Sequence, residues 1–568
     1  MSYEYATIDI ETTGLNRYKD KVTFIGVGLA ESLDSPLKKT LIYDATKPEH
    51  IQKFSNVIRH IRKAKARTVL QNGKFDTLFL EHKYGIKIPI DEDVMLLGTA
   101  YDLSAEHGLK KMAQAYLGVE DWDISKKDKL GGSKDKVVPY LKLDVKYTWE
   151  LFQYFQNSMT TQQMKIYSLL LRPAYRMYRD VERNGLYLDL KTLKVVREKY
   201  AKEEEQLLKE LNKHYKINWN SSAQVAEVFF KKEGMPIIAR TPKGAPSINA
   251  SVLKDLAMKD YELPQLLLKY KDVATRNKMF LNRWEDDCYE SRIHPSFNLT
   301  NVVSGRTSCN NPNLQQVPRT KDIRGLFSGS PGTILFEADY SQLELRIAAH
   351  YANEKTMLKI YHENGDIHTE TAKLFTGGKE PTKEERGKAK AVNFGFLYGM
   401  QAKKFVAYAR DSYGQVFTQK EAEHIRDLFF AKYARLLPWH KEQEDLCEMQ
   451  GGVSNMFGRF RRLPLIYSAN KWERASAARR AINTPVQGSG SDLLISAATQ
   501  INKELKGIAY IGATVHDSII GECRVEDKDF VDETIRRIML HPKVLDDFGV
   551  TLRVPLDIDI GWGPWGTH

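Results

Sequence analysis

Two carboxylates lie two residues apart at the end of the first apolar run of the chain. Asp9 and Glu11 flank Ile10, and residues i and i+2 of a strand share one face. A pair of hard oxygen ligands on one face is typical of a site for Mg²⁺ or Mn²⁺. By itself the pattern also fits a solvated strand end that leads into a turn at residues 12–15.

Two further polar pairs are spaced by one helical turn. Asn72 and Asp76 are four residues apart, and so are Tyr140 and Asp144. Residues at this spacing lie on one helix face. Several carboxylates balance the charge of two divalent ions, and a tyrosine can orient an attacking water. The three segments together therefore fit one two-metal site. A further aspartate, Asp93, stands in the segment Asp-Val-Met-Leu-Leu and is expected to be structural.

A second possible metal site combines two distant aspartates. Asp339 follows an apolar strand-like run, and Asp517 follows another, next to His516. Two aspartates at strand ends can hold the metal ions that phosphoryl transfer requires. Each alone is also what an ordinary strand-terminal aspartate looks like, and the sequence separation does not show whether they meet.

Between these aspartates, four residues recur at every fourth position: Arg386, Lys390, Phe394 and Tyr398. At 100° per residue they line one helix face. Cations neutralise a triphosphate, and aromatic rings stack on a base or sugar. A solvated basic face with two core aromatic residues is the alternative. The order from cationic to aromatic end favours a nucleotide laid along the helix.

Several kinds of element must position these residues. Residues 1–155 read as a compact α/β unit, with strand-like runs at 6–10 and 23–29. Residues 169–274 are rich in Lys, Glu and Leu at helical spacing, and a Gly/Pro-rich stretch at 240–246 interrupts them. This pattern predicts a helical arm with a flexible tip. From residue 298 onward, strand-like runs at 332–337 and 508–515 alternate with long helices.

The bulk composition narrows the class of protein. At roughly 100–200 residues per domain, 568 residues suggest about three or four domains. A net charge of +12 and a pI near 9.1 favour a polyanionic partner, nucleic acid first, over a merely Lys-rich soluble protein. The four cysteines form no CxxC pair, which argues against a zinc site or a disulfide framework and suits a reduced, cytosolic setting. Neither a signal peptide nor a membrane span is expected.

The first set of motifs resembles the DEDDy 3′→5′ exonucleases, and five residues match in order: Asp9, Glu11, Asp76, Tyr140 and Asp144. The resemblance implies an RNase H-like α/β domain at 1–160. It implies that Asp9, Glu11 and Asp144 form the primary metal site and that Asp76 holds the second ion. Tyr140 would position the attacking water, and Leu15 would wedge against the terminal base.

The second set resembles motifs A, B and C of family A DNA polymerases, the bacterial polymerase I family. The matching segments are DYSQLELR at 339–346, the R-x3-K-x3-F-x3-Y-G stripe and V-H-D at 515–517, with supporting segments at 241–246, 304–308, 313–318, 366–368 and 479–487. The resemblance runs from residue 9 to residue 517. It implies an α/β and α+β multidomain protein whose right-hand polymerase occupies 161–568. The thumb is expected at about 190–295, the palm at about 296–345 and 465–568, and the fingers at about 346–464.

The same resemblance assigns roles in synthesis. Asp339 and Asp517 would bind both catalytic metals. Arg386, Lys390 and His368 would contact the triphosphate, and Lys390 would protonate the leaving pyrophosphate. Five residues would complete nucleotide and template selection: Phe394 at the sugar, Tyr398 beside the template base, Glu344 in the space of a 2′-OH, and Gln342 in the nucleotide site, with His516 near the primer terminus.

Four further residues are implied as DNA contacts: Arg306, Gln487, Asn313 and Arg479. Arg306 and Gln487 would touch the minor groove, where every base pair offers acceptors, so the contact would be independent of sequence. Ser518 departs from the family pattern, which has glutamate after His-Asp. Because both aspartates are present, only the auxiliary role of that position is in doubt.

The implied activity is template-directed addition of dNTPs to a primer 3′-OH, with 3′→5′ proofreading. It would use two Mg²⁺ per active site, with Mn²⁺ as a substitute. The expected partners are primer–template DNA, dNTPs and a processivity factor or replisome proteins, with no membrane, in the cytoplasm (the host's if viral). The chain starts at the exonuclease motifs, so flap removal is not expected.

The layout suggests a replicative phage enzyme, with a repair polymerase of a cellular genome as the alternative. A single-subunit RNA polymerase is a rival that Glu344 and the exonuclease motifs disfavour. A DNA-binding scaffold with decayed sites is a second rival, which the complete ligand sets disfavour.

Overall fold

A computed structural model describes residues 3–131 and 134–567. Its N-terminal part is a mixed five-stranded sheet in the order β3-β2-β1-β4-β5. The strands are β1 (Tyr5–Thr12), β2 (Val22–Ala30), β3 (Lys39–Asp44), β4 (Arg67–Leu70) and β5 (Glu92–Asp93). The helices are α1 (Pro48–Lys63), α2 (Gly73–Tyr84), α3 (Val94–Tyr101), α4 (Leu109–Leu117), α5 (Lys126–Gly131) and α6 (Lys134–Ser158).

Strands β1 and β2 are central and almost wholly buried, which explains their near-continuous apolar runs. Helix α6 covers one face of the sheet: Val137, Leu141 and Val145, spaced by one turn, pack against Phe24 of β2. The predicted α/β unit is therefore present, and its central strand carries Asp9 and Glu11.

A helical segment follows. It consists of α7 (Thr161–Ile166), a π-helical stretch (Tyr167–Leu171), α8 (Arg172–Asn184), β6 (Leu186–Tyr187), α9 (Leu190–His214), α10 (Ser222–Ala226), a π-helical stretch (Glu227–Lys232), α11 (Ala250–Ala257), α12 (Glu262–Arg276), a π-helical stretch (Asn277–Leu281) and α13 (Trp284–Asp287). The predicted arm has its own core around Trp219, Phe229 and Leu267. At its tip, Thr241 N–H donates to the Ala245 carbonyl at 2.7 Å, so residues 240–246 form a hydrogen-bonded turn.

The remaining chain holds a second mixed region. Its strands are β7 (Cys288–Tyr289), β8 (Arg292–Ile293), β9 (Ser296–Asn298), β10 (Ser308–Asn310), β11 (Thr333–Tyr340), β12 (Gly452–Ser454), β13 (Phe460–Arg462), β14 (Ala509–Val515), β15 (Ser518–Arg524) and β16 (Ile558–Trp562). Its helices are α14 (Lys321–Arg324), α15 (Leu343–Ala352), α16 (Lys355–His362), α17 (Ile367–Ala372), α18 (Lys383–Leu397), α19 (Ala402–Tyr413), α20 (Gln419–Lys432), α21 (Leu436–Gln450), α22 (Lys471–Glu504), α23 (Lys528–Leu540) and α24 (Val544–Phe548). Short 3₁₀ turns lie at Leu314–Gln316, Pro464–Tyr467 and Val525–Asp527.

An antiparallel sheet in the order β14-β15-β11-β16 organises this region. The long helix α22, whose central and C-terminal turns are largely buried, packs against α23 and α15. One continuous core joins the N-terminal unit to this sheet. At their junction, Arg462 N–H of β13 donates to Ser104 Oγ of the N-terminal unit at 3.1 Å, and its side chain pairs with Asp102 at 3.4 Å. The two halves are therefore packed against each other and not merely tethered.

Within the described residues, no helix is both long enough and apolar enough to cross a bilayer.

Candidate active sites

The N-terminal site is built on the central strand. Asp9 and Glu11 project from the same face of β1, because they lie two residues apart on a regular strand. Their partners on β2 are Gly26 and Phe24. One oxygen from each of Asp9, Glu11 and Asp144 lies within 4.8 Å of the others. The structure therefore brings three of the predicted ligands together at one end of the sheet.

Asp76 joins this cluster from α2. It is 3% exposed, and its Oδ1 accepts the backbone N–H of Ile10 at 3.0 Å, which ties the helix to β1. Asn72 does not share a helix face with it, contrary to the prediction. Asn72 precedes the helix in the left-handed conformation, and its Oδ1 accepts from the Tyr175 hydroxyl at 3.1 Å. Asp93 caps α3 and accepts from Leu96 N, so its predicted structural role is confirmed.

Tyr140 and Asp144 lie one turn apart on α6, and both are largely buried. Two residues that the sequence reasoning missed reach the same carboxylate. Lys110 of α4 donates to the Tyr140 hydroxyl at 2.6 Å and to both oxygens of Asp144 at 2.7 Å. Trp122 donates its indole N–H to Asp144 Oδ1 at 2.6 Å. No spacing signal marks either residue in the sequence.

Crowding of these carboxylates shifts their protonation. Loss of hydration, and then the charges of neighbouring carboxylates, raises the pKa of Asp9 well above its usual value. The same two causes raise the pKa of Glu11 to about 7. Burial also raises the pKa of Asp76 and Asp144. A cluster of this kind binds protons or cations, so it fits a divalent metal.

The second site forms where two distant strand ends meet. Asp339, the penultimate residue of β11, lies directly opposite Ser518 of β15, and Tyr340 N–H donates to the Asp517 carbonyl at 3.2 Å. Asp517 follows His516, whose φ of 54° makes the sharp turn between β14 and β15. The two aspartates that are far apart in sequence therefore stand side by side at the end of the β14-β15-β11-β16 sheet.

Asp339 and Asp517 also repel each other. Although the Asp339 side chain is exposed, loss of hydration around the carboxylate, and then the charge of Asp517, raises its pKa to about 7. Burial, and then the charge of Glu344, raises the pKa of Asp517 to about 6. Ser518 is buried and donates to the Val515 carbonyl at 2.8 Å, so it shapes the turn. Strand β16 places Asp559 opposite Asp339, a neighbour that the motifs did not reveal.

The predicted stripe lies on α18, with Tyr398 as the residue that ends the helix. Arg386 pairs with Asp366 Oδ2 at 2.6 Å, and Asp366 caps α17, the helix that carries His368. His368 is 1% exposed, and burial lowers its pKa to about 4. Asn393 Nδ2 lies 2.8 Å from its Nδ1, while Nε2 has no partner within the described residues.

A hydrogen-bonded group closes the other end of the stripe. Glu344, near the start of α15, accepts from both Arg306 and the Tyr398 hydroxyl. Burial, and then the charge of Glu344, raises the pKa of Tyr398 well above its usual value. Gln342 adopts a left-handed conformation before α15 and accepts from the Tyr361 hydroxyl at 3.2 Å.

A cleft of about 950 Å³ gathers six of the predicted nucleotide- and DNA-binding residues: Glu344, Phe394, Tyr398, Arg306, Arg479 and Gln487. Asn313 is not among the described residues that line the cleft; its side chain caps the turn at Leu314–Gln316 and accepts from Gln315 N at 3.0 Å. Lys390 and His516 are exposed, and Leu15, in the loop between β1 and β2, is 77% exposed.

Residues 190–567 match the family model described as DNA polymerase family A. The chain belongs to this family. Residues 2–160 match the model described as 3′-5′ exonuclease, so this family A polymerase has an exonuclease domain ahead of its polymerase domain. Among curated relatives, DNA polymerase I of Aquifex aeolicus is 30% identical over 94% of this chain and 92% of the relative.

DNA polymerase I of Pseudomonas aeruginosa is 28% identical over 99% of this chain, which spans 63% of that relative's length. A solved structure described as the POL domain of Pol1 from M. smegmatis in complex with DNA primer-template and dNTP matches with a TM-score of 0.85. It is 22% identical, and the match covers 99% of this chain and 96% of that one. The predicted fold class is confirmed: an exonuclease domain is followed by a family A polymerase domain.

If a divalent ion such as Mg²⁺ binds these carboxylates, raising the pH from about 6 to about 8 is expected to increase the stability that the added ion gives this family A polymerase. The pKa values of Glu11 and Asp339 are raised to about 7, so in the metal-free folded chain they hold protons that the unfolded chain has released. Their ionisation destabilises the folded state as the pH rises toward 7, and a divalent ion offsets that charge. For each proton displaced from these two groups, the apparent Mg²⁺ affinity should rise by at most roughly ten-fold per pH unit, and their contribution should level off above about pH 7.5.

Thermal unfolding with and without Mg²⁺ at each pH measures this effect. A chain with Glu11→Gln, Asp339→Asn and Asp517→Asn is the control and should show a smaller change with pH than the parent, since Asp9, Asp76 and Asp144 are still present. An Mg²⁺-induced shift in Tm that is the same at both pH values in the parent would contradict the prediction.

Proposed function

We propose that this family A polymerase adds dNTPs to a primer 3′-OH under the direction of a template, and that its N-terminal domain removes mispaired 3′ ends. The observation that carries the proposal is the meeting of Asp339 and Asp517 at the end of the palm sheet. A second, separate carboxylate cluster around Asp9 and Asp144 supports proofreading. The two sets lie in different domains, so each reaction has its own site.

Both sites suit divalent ions, since each presents crowded carboxylates whose pKa values are raised. We propose two Mg²⁺ per site, with Mn²⁺ as a substitute. Asp339 and Asp517 would hold them in the palm, and the exonuclease ligands would be Asp9, Glu11, Asp76 and Asp144. Bound ions would lower the pKa of the attacking oxygen and offset charge on the leaving group.

The fingers helix supplies cations for the triphosphate. Arg386 is oriented by Asp366, which also fixes the start of the helix that carries His368. Because the pKa of His368 is lowered to about 4, it is neutral at pH 7, and its free Nε2 can donate one hydrogen bond to a phosphate oxygen. Lys390 is exposed and keeps a mobile ammonium for the leaving pyrophosphate.

Selection of the sugar is proposed to depend on Glu344. A size filter must be rigid, and Glu344 is held from two sides by Arg306 and Tyr398. Phe394 lines the same cleft and would pack on the sugar, with Tyr398 beside the template base. Gln342 would support this site through its contact with Tyr361.

The DNA is proposed to run along the same cleft. Arg306 and Gln487 would contact the minor groove, with Arg479 on the neighbouring turns of α22. His516 would lie near the primer terminus. Asn313 would act indirectly by holding its turn. In the exonuclease domain, Tyr140 would position the attacking water and Leu15 would wedge against the terminal base.

The proposed division of the polymerase domain remains thumb at about 190–295, palm at about 296–345 and 465–568, and fingers at about 346–464, with the exonuclease at 1–160. A replicative role in a phage stays a prediction, and repair in a cellular genome is the alternative. Extension of a long template with and without host extract tests both that role and the predicted processivity factor.

Primer extension with dNTPs or rNTPs tests the proposed activity directly. Extension by dNTPs alone supports it. Preference for rNTPs would indicate an RNA polymerase, and DNA binding without extension would indicate a scaffold.

Phe394→Tyr is expected to increase incorporation of dideoxynucleotides relative to dNTPs. A dideoxynucleotide loses the hydrogen bond of its 3′-OH, and the added phenol can replace that contact. A hydrogen bond to an otherwise unsatisfied group is worth roughly 1–3 kcal/mol, or about ten- to hundred-fold in selectivity. The ratio of incorporation efficiencies is measured on one template with the exonuclease inactivated.

Phe530→Tyr, on the exposed face of α23, is the matched control and should leave the ratio unchanged. A change of less than about two-fold with Phe394→Tyr, well below the value of a hydrogen bond, would show that Phe394 does not face the sugar.

A further inference from the structure

Lys110 occupies the centre of the exonuclease cluster. Its ammonium lies 2.6 Å from the Tyr140 hydroxyl and 2.7 Å from each oxygen of Asp144. The Lys110 Nζ atom also lies 4.2 Å from the centroid of the Tyr140 ring and 5.2 Å from the centroid of the Trp122 ring. These contacts place the Lys110 ammonium against the predicted exonuclease residues Tyr140 and Asp144.

Both oxygens of Asp144 accept hydrogen bonds in this arrangement. Lys110 binds both of its oxygens, and Trp122 also donates to Oδ1 at 2.6 Å. A divalent ion that took Asp144 as a ligand would have to bind the same two oxygens, of which only Oδ2 accepts a single hydrogen bond. It would also meet an ammonium at hydrogen-bond distance from its ligand, where like charges repel strongly. Lys110 and the ion therefore compete for one carboxylate.

The charge of Lys110 acts on the whole cluster. It favours the ionised forms of Asp9, Glu11 and Asp144 against the burial that raises their pKa values. The nearby Lys129 also favours ionised Glu11, but it is bonded to Asp123 at 2.6 Å. Among the described residues, Lys110 is therefore the cation that forms an ion pair directly with a proposed metal ligand, Asp144.

The Lys110 side chain can also move out of the exonuclease site. Its side chain is 18% exposed, so the ammonium has a route to solvent. A flexible four-carbon stem allows that movement more readily than a planar guanidinium fork would. The next residue, Lys111, is exposed on the same helix and provides a matched comparison.

We propose that Lys110 is a resident counter-ion of the exonuclease site, which holds Asp144 until a divalent ion displaces it and so weakens the metal affinity of that site. The inference rests on the proposed metal-dependent exonuclease. Proofreading would then require a higher concentration of divalent ion than synthesis, because the palm aspartates have no such lysine contact among the described residues.

The test measures Mn²⁺ binding directly. Full-length protein with Asp339→Asn and Asp517→Asn is titrated with Mn²⁺, and free Mn²⁺ is followed by electron paramagnetic resonance. Adding Lys110→Met or Lys110→Gln should tighten binding by at least about ten-fold, since a repelling charge is removed. Lys110→Arg keeps the charge and Lys111→Met lies outside the cluster, so both should stay within about two-fold of the parent, far below that effect.

A second readout is thermal unfolding in EDTA, where Lys110→Met should lower the Tm and Mn²⁺ should restore it. Primer extension by Lys110→Met in the otherwise unchanged chain reports folding, and Lys110→Gln replaces it if the Met variant does not fold. Binding by both neutral variants equal to or weaker than that of the parent overturns the inference. Absence of Mn²⁺ binding in the parent would instead reject the proposed exonuclease metal site, and the inference with it.

Discussion

Chains carrying Asp339→Asn or Asp517→Asn are expected to extend a primer at least about 10³-fold more slowly than the parent. Each change removes a negative charge from the Asp339–Asp517 pair at the end of the β14-β15-β11-β16 sheet. The amide keeps the shape of the side chain but cannot offset the charge of divalent ions. Single-nucleotide incorporation under rapid-quench conditions measures the loss.

Two controls accompany this measurement. Asp529→Asn, an exposed carboxylate on α23, should leave extension unchanged. Degradation of single-stranded DNA should persist in both palm variants, because the exonuclease ligands are in another domain. Extension within about ten-fold of the parent rate, far short of the expected loss, would remove that aspartate from the mechanism.

The double change Asp9→Ala with Glu11→Ala is expected to abolish degradation of single-stranded DNA and to leave primer extension largely intact. It removes two of the three carboxylates whose oxygens converge within 4.8 Å. Their pKa values are raised, so the folded metal-free chain should not lose stability when they are removed. The loss should reach at least about 10³-fold, since metal binding supplies most of the catalysis.

The matched double control is Asp34→Ala with Glu49→Ala, which removes two exposed carboxylates of the same domain. Release of labelled nucleotides and primer extension are followed on the same preparations. A parallel loss of both activities in the Asp9 and Glu11 variant, with an unchanged Tm, would mean that the two reactions share a site.

Residue spacing along single elements predicted which side chains of the exonuclease site share a face. The i, i+2 pair of Asp9 and Glu11 does share a strand face, and the i, i+4 pair of Tyr140 and Asp144 does share a helix face. Such relations depend only on the period of the element, so the sequence alone determines them once the element type is known. Asn72 departs from this rule because it lies before the helix begins.

The stripe on α18 was predicted for the same reason, but its partners were not. Asp366 orients Arg386, and Asn393 contacts His368 from within the stripe's own helix. Both residues stand in segments that the motifs include, so a search for hydrogen-bonding partners near each cation could have found them. The family resemblance itself came from the order of several such local motifs.

Only the tertiary structure decided which local pieces meet. The sequence supplied Asp339 and Asp517 as two strand ends, and the pairing of β11 with β15 placed them side by side. No pattern in the sequence indicates that Lys110 enters the exonuclease cluster, since it lies beside an exposed lysine in an ordinary amphipathic helix. Periodicity fixes the face on which a side chain lies, whereas long-range packing of helices and strands selects what that face contacts.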